Sequence, residues 1–282
     1  MTDDTATIET DASADAEPQT VGRLAIGVDV GGSGIKTAVV DIDAGRFHSE
    51  RLRVPTPMPS TPERVSASIG RLVRRLTKEG GLPADVPIGV GLPGVAINGR
   101  LATAANIDPA WVDFPIAERL AKSLKRRVEI VNDADAAGIA EMRWGVGRGK
   151  AGTVIFLTLG TGVGSGVFVD GILVPNTEFG QMEIAGRPAE RRSSAAARVR
   201  RGLSWKAWAQ DLDEHLQHIE NLMWPTLFIL GGGVSKNADK FVPRLTCRTP
   251  VVAAALRNDA GIIGAAIVAA EGFADAKTTQ DD

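Results

Sequence analysis

Apolar residues along the chain gather mostly in short unbroken runs closed by glycine or proline, the pattern of buried strands, with helical spacing in a few longer stretches. The first run, LAIGVDV (24–30), ends in a charge and leads through Gly31-Gly32-Ser33-Gly34 into IKTAVVDID (35–43), which predicts a strand, a tight turn and a strand. FHSERLRV (47–54) predicts a third strand, stopped by Pro55, Pro57 and Pro59. In TPERVSASIGRLVRRLTKEG, Thr61 stands at an N-cap and Pro62 at the first helical position, so a helix should run from there to near Gly80. PIGVGLPG (87–94) and RVEIVN (127–132) read as buried strands, and DADAAGIAEMRWG (133–145) as a helix ending in glycine. Asn132 and Asp133 then fall at a helix N-terminus.

The second half repeats the opening. TVIFLTLG (153–160), the glycine-rich TGVGSG (161–166), VFVDG (167–171) and ILVPN (172–176) again predict strand, glycine turn and strand. Two related halves follow from this repeat, each offering a glycine hairpin to a cleft between them. A helix is expected over 204–224 with Ser204 as N-cap, then the strand TLFILGG (226–232), and a closely packed terminal helix in NDAGIIGAAIVAAEG (258–272).

Composition narrows the class. A chain of 282 residues, 44% hydrophobic and 23% charged, is long enough for two packed lobes. Residues 1–22 differ from the rest: six acids, no base and few large apolar side chains read as a disordered acidic tail. Removing its acids leaves 28 acidic against 32 basic residues, so the remainder is mildly positive and can tolerate a polyanion. Nothing resembles a secretory leader or a membrane span, and the chain reads as soluble and cytoplasmic. Cys247 is the only cysteine, which excludes an intrachain disulfide and a multi-cysteine zinc cluster.

Candidate chemistry sits in the turns. DVGGSGIK (29–36) offers what a phosphate needs: bare backbone N–H groups at Gly31, Gly32 and Gly34, the Ser33 hydroxyl and the Lys36 ammonium. Asp29 is placed to hold Mg²⁺ through water. One glycine hairpin alone is an ordinary turn, but a second, with Gly160, Thr161 and Gly162, points to an anion held between the two. Neither is a GxxxxGK[ST] P-loop or a Rossmann fingerprint. Asn132-Asp133 is either a helix cap or a sugar-orienting amide beside a carboxylate that takes the proton of an attacking hydroxyl; Asp135 competes for the latter role. Glu178, Gln181 and Glu183 lie within six residues of a predicted loop, the groups that hold sugar hydroxyls. Gly231, Gly232 and Gly233 can lie against a nucleotide, or serve a close packing contact. From Arg187 to Lys206 there are seven bases and one acid, Glu190: a solvated face, or a track for a polyanion. Without interleaved aromatics it is a poor nucleic-acid surface, and the chain contains no Tyr.

DVGGSGIK, Asn132-Asp133, TLGTGVGSG and LGGGVS, in this order, resemble the ROK family of repressors and sugar kinases across residues 22–273. TPMPSTPE, TAANID (103–108), VNDADAAGIAEMR and LVPNTE are similar to the family's actinobacterial polyphosphate-using glucokinases. The resemblance implies an α/β, actin-like (ribonuclease H-like) duplicated fold of two lobes around a central cleft. One lobe would comprise 23–131 with 259–273, the other 132–258, with a second disordered tail at 274–282. It also implies transfer of a phosphoryl group from polyphosphate or ATP to the 6-hydroxyl of glucose, Mg²⁺ dependence and a homodimer. On the matching positions, Asp133 would be the base, Asn106, Asn132, Glu178 and Glu183 sugar ligands, and Gly31 to Gly34, Lys36 and Thr161 the phosphate contacts. The cysteine-rich zinc motif of many members is absent, so no zinc is expected. Where the family has Glu-x-Gly-His, this chain has Glu178-Phe179-Gly180-Gln181. The family's repressors add a helix-turn-helix, for which the acidic first 22 residues are unsuited.

Overall fold

The computed structural model describes residues 22–104 and 107–272. In chain order, β1 (Leu24–Gly31) and β2 (Gly34–Asp41) pair antiparallel through to Gly31 opposite Gly34, so the turn is Gly32-Ser33 alone. The predicted third strand is two short ones, β3 (Arg46–Phe47) and β4 (Leu52–Val54), both on β2. The reason lies at Ser49: its hydroxyl takes the Val39 N–H, while the Val39 carbonyl accepts from both His48 and Ser49, and the chain between the strands bulges out.

α1 (Pro62–Glu79) begins with Pro62 at N1 as expected, although the Thr61 hydroxyl makes no capping bond. After it come β5 (Ile88–Leu92), the small hairpin β6 (Ala96–Ile97) and β7 (Arg100–Leu101), α2 (Ile116–Leu124), β8 (Val128–Asn132) and α3 (Asp133–Trp144). The first sheet has the order β3-β2-β1-β5-β8, with β4 also on β2, and β1, β5 and β8 run parallel.

The second half opens on β9 (Thr153–Leu159) and β10 (Val163–Val169), followed by β11 (Ile172–Val174). Here the turn is only 160–162, because Gly164 and Gly166 already belong to β10. Gly164 is required by packing, since a Cβ there would stand 2.8 Å from the Ala134 methyl of α3. The segment expected as a loop after β11 contains a 3₁₀ turn at Phe179–Gln181 and a two-stranded ribbon, β12 (Glu183–Ile184) with β13 (Arg187–Pro188). Then come the short α4 (Glu190–Ser193) and α5 (Ala195–Arg200), the long α6 (Trp205–Met223) capped by the Ser204 hydroxyl, β14 (Leu227–Gly231), β15 (Val251–Ala253) and α7 (Ala260–Glu271). From the last of the three glycines the chain runs as a 3₁₀ helix, over Gly233–Lys240, with a kink at Asn237.

This second sheet has the order β11-β10-β9-β14-β15, with β9, β14 and β15 parallel. Each half is thus an antiparallel glycine hairpin extended by two parallel strands, and the sequence repeat is a repeat of sheets. One core lies under α1 and α2, around Ile26, Ile69, Ile88 and Trp111; another lies under α6, where Trp208 and Phe241 are fully buried. Each such side chain contributes about 1.5–3 kcal/mol by leaving water. A third core joins the halves through α3 and α7, with Ala25 and Val40 of the first sheet and Phe156 of the second in one cluster. Close approach governs it: a Cβ on Gly264 of α7 would fall 1.6 Å from the Ala136 carbonyl oxygen of α3. Among the described residues no helix is long and apolar enough to cross a membrane.

Candidate active site

The two glycine turns face each other. A Cβ on Gly32 would stand 3.9 Å from the Thr161 hydroxyl, so the tip of one hairpin meets the tip of the other across the cleft. The first turn is braced from β4 and beyond: the Thr56 hydroxyl donates to the Gly31 carbonyl at 2.6 Å, and the Arg53 guanidinium lies over Gly34 and donates to the Ser33 carbonyl at 3.3 Å. Asp29 and Lys36 are opposite one another in the β1–β2 register, on one face, and pair at 2.8 Å. Lys36 therefore holds Asp29 in this state.

Asp133 opens α3 at the end of β8, with its Cα against the end of β5 and its carboxyl toward Gly164 of the second hairpin. Burial, then the negative charge of Asp29, push its pKa from 3.8 up to about 7. An acid at about 7 is partly ionised at neutral pH, and in its carboxylate form it is a far stronger base toward a hydroxyl than an ordinary aspartate.

Asn132 is a helix cap. Its Oδ1 accepts from the N–H groups of Ala134 and Asp135, its Nδ2 donates to the Gly94 carbonyl, and the side chain is buried. One amide hydrogen remains for any other partner. Asp135 does not share the position of Asp133. Its Oδ2 accepts from the Asn176 N–H at 2.8 Å and its buried Oδ1 has no partner; burial pushes its pKa to about 7 also. Asn176, in the left-handed region at φ 62°, exchanges two side-chain hydrogen bonds with the Ala96 backbone. Asp135 thus ties the start of the 176–183 segment to α3, and the Asn176 side chain ties it to the β6–β7 hairpin.

Glu178 is partly buried in that segment, and desolvation, then the nearby Glu190, raise its pKa. Glu190, seen in the sequence only as the lone acid of a basic stretch, accepts from the Val163 N–H at the second hairpin. Gln181 and Glu183 are exposed, Glu183 on β12. Asn106 lies outside the described residues. Gly231 and Gly232 serve packing, since a Cβ on either would meet the Phe156 ring or the Leu159 backbone, whereas Gly233 faces open space. Of the seven bases, Arg192 and Arg201 pair with Asp211, and Arg198 stacks on Trp205.

A model of the ROK family matches residues 25–187, more than half of the chain. The chain belongs to the ROK family. The polyphosphate glucokinase of Mycobacterium tuberculosis is 45% identical over 249 residues, covering 88% of this chain and 92% of that protein. The crystal structure of an inorganic polyphosphate/ATP-glucomannokinase from Arthrobacter sp. strain KM superposes with a TM-score of 0.85 at 49% identity, covering 88% and 99%. A ROK glucokinase from Streptomyces griseus, solved with glucose and AMPPNP, gives 0.76 at 26% identity over 88% and 100%. The duplicated fold read above is that of ROK kinases.

Residues that sequence reasoning missed act through the backbone: Thr56, Arg53, Asn176 and Glu190 each hold a turn or loop in place. Asn176 carried a signal, as asparagine is one of few residues that accept a positive φ.

Proposed function

We propose that this ROK protein is a cytoplasmic polyphosphate- and ATP-dependent glucokinase, acting as a homodimer and phosphorylating the 6-hydroxyl of glucose. The observation that carries the reading is Asp133: a carboxyl raised to about 7, set at a helix start against Gly164 of the second hairpin and within electrostatic reach of Asp29 of the first. The names of the relatives support the acceptor and the donors.

In this reading the terminal phosphoryl group of the donor lies between the turn N–H groups, with the Thr161 and Ser33 hydroxyls at its sides. Asp133 accepts the proton of the 6-hydroxyl as that oxygen bonds to phosphorus and the bond to the departing phosphate breaks. Glu178, Gln181 and Glu183, with Asn106 and the remaining hydrogen of Asn132, hold the sugar. Gly233 gives the one open backbone surface of the triple glycine to a nucleotide.

The carboxylates fit a magnesium ion that arrives with the donor. Asp29 is close enough for its charge to disfavour the Asp133 carboxylate, and among the described residues no group of three or more ligating side chains gathers, so the phosphates would complete the shell. Asp29 would hold the ion through water. Bound there, Mg²⁺ would neutralise charge on the phosphates.

The test is coupled detection of glucose 6-phosphate from purified protein with Mg²⁺ and either polyphosphate or ATP. Product from polyphosphate and from ATP is expected; product from ATP alone would replace this reading with that of an ATP-only hexose kinase. The Arthrobacter relative is described as a glucomannokinase, which makes mannose the second acceptor to assay.

A further inference from the structure

Behind the 176–183 segment stands a buried histidine that plays no part in the chemistry described so far. His215, in the middle of α6, is about 1% exposed. Its Nε2 lies 3.0 Å from the Phe179 carbonyl and its Nδ1 2.9 Å from the Ser193 hydroxyl, which is itself 2.9 Å from the Ala189 carbonyl at the head of α4. A carbonyl only accepts, so Nε2 carries the proton, and in a neutral ring Nδ1 then accepts the single Ser193 hydroxyl hydrogen, while the Ala189 carbonyl is left with the Arg192 and Ser193 N–H groups. Burial lowers the pKa of the ring to about 4, which keeps it neutral at working pH.

The Phe179 peptide is held at both ends. The Ser165 hydroxyl of β10 accepts its N–H at 3.0 Å and donates to the Thr177 carbonyl at 2.7 Å. His215 takes the other end, sharing the Phe179 carbonyl with the Met182 N–H that closes the 3₁₀ turn. Next to it, Gly180 is pressed onto the second hairpin so closely that a Cβ would fall 2.1 Å from the Val163 carbonyl oxygen. Glu178 precedes this pinned peptide and Gln181 follows Gly180, so their backbone directions are set by the Phe179 and Gly180 units.

We propose that His215 is a positioning residue for sugar binding: through its Nε2–H bond to the Phe179 carbonyl it fixes Glu178 and Gln181 against the second hairpin, and so sets affinity for the sugar without touching it. The inference rests on the proposed reading of Glu178 and Gln181 as sugar ligands. A single buried hydrogen bond of this kind shifts an equilibrium by roughly 5–10-fold.

Three variants of the full chain test it, by calorimetric titration of glucose without donor and by steady-state kinetics with polyphosphate. His215→Leu should raise the glucose Kd and KM by roughly 5–10-fold, with kcat and the donor KM within about twofold of wild type. His215→Gln keeps an N–H at similar reach and should restore glucose affinity. Glu178→Gln is the control on the underlying reading, and should weaken glucose binding by itself. If Glu178→Gln weakens glucose but His215→Leu, folded, does not, the positioning inference fails and the ligand assignment stands. If Glu178→Gln leaves glucose binding intact, both fall. Failure of His215→Gln to rescue, or an equal rise in donor KM, would make the histidine a packing residue only. Should His215→Leu not fold, His215→Asn takes its place: its amide stops short of Phe179, and wild-type affinity there would equally overturn the proposal.

Discussion

Asp133 carries a charge in surroundings that resist it, and that conflict is measurable. Its folded-state pKa of about 7 lies above the ordinary 3.8, so between those values the native protein holds a proton that the unfolded chain has released. Stability from this group is therefore present at low pH and is lost as pH rises from about 4 to about 7. Asp133→Asn removes the charge at nearly constant shape. The variant is expected to melt several degrees above wild type at pH 8 and to approach it near pH 4.5, read by differential scanning calorimetry; equal melting temperatures at pH 8 would mean that the carboxylate is not destabilised by its site. Asp135 shows how little spacing decides. Two positions along the same helix, it is fully buried where Asp133 is only partly so, and its Oδ2 accepts from the Asn176 backbone N–H.

At the scale of elements, the two halves meet on α3 and α7, and they do so through glycine. Gly27 and Gly89 of β1 and β5 leave room for the backbone of α7, as Gly264 leaves room for α3. Gly264→Ala places a methyl on the Ala136 carbonyl, and because both sides are backbone no rotamer can relieve the clash. A loss of about 1–3 kcal/mol or more in unfolding free energy is expected from urea titration; a wild-type midpoint would show that the helices separate at little cost. The same elements show what the sequence made legible. Strands and long helices were readable because their apolar period reflects burial that local chain chemistry shares. The bulge at Ser49 and the start of β10 within the glycine-rich run were not, because each involves a partner elsewhere in the chain, Val39 and Ala134.

For the whole molecule, the internal repeat told most. Strand, glycine turn and strand, twice, gave the paired sheets and the facing turns, and the pair Asn132-Asp133 between them gave the cap and the carboxylate together. What the repeat could not show is how the 176–183 segment and the second hairpin are braced, since Asn176, Glu190 and His215 act across 41, 27 and 36 residues. Nor did charge in 187–206 reveal that Arg192, Arg198 and Arg201 are already engaged within the fold. The central claim is that Asp133 takes the proton of the sugar hydroxyl. Its most direct test is the turnover of Asp133→Asn with saturating glucose and polyphosphate, alongside calorimetric glucose binding. The account predicts kcat lowered by about 10²–10⁴-fold with glucose affinity kept within a few-fold; a folded variant that binds glucose and turns over near the wild-type rate would contradict it.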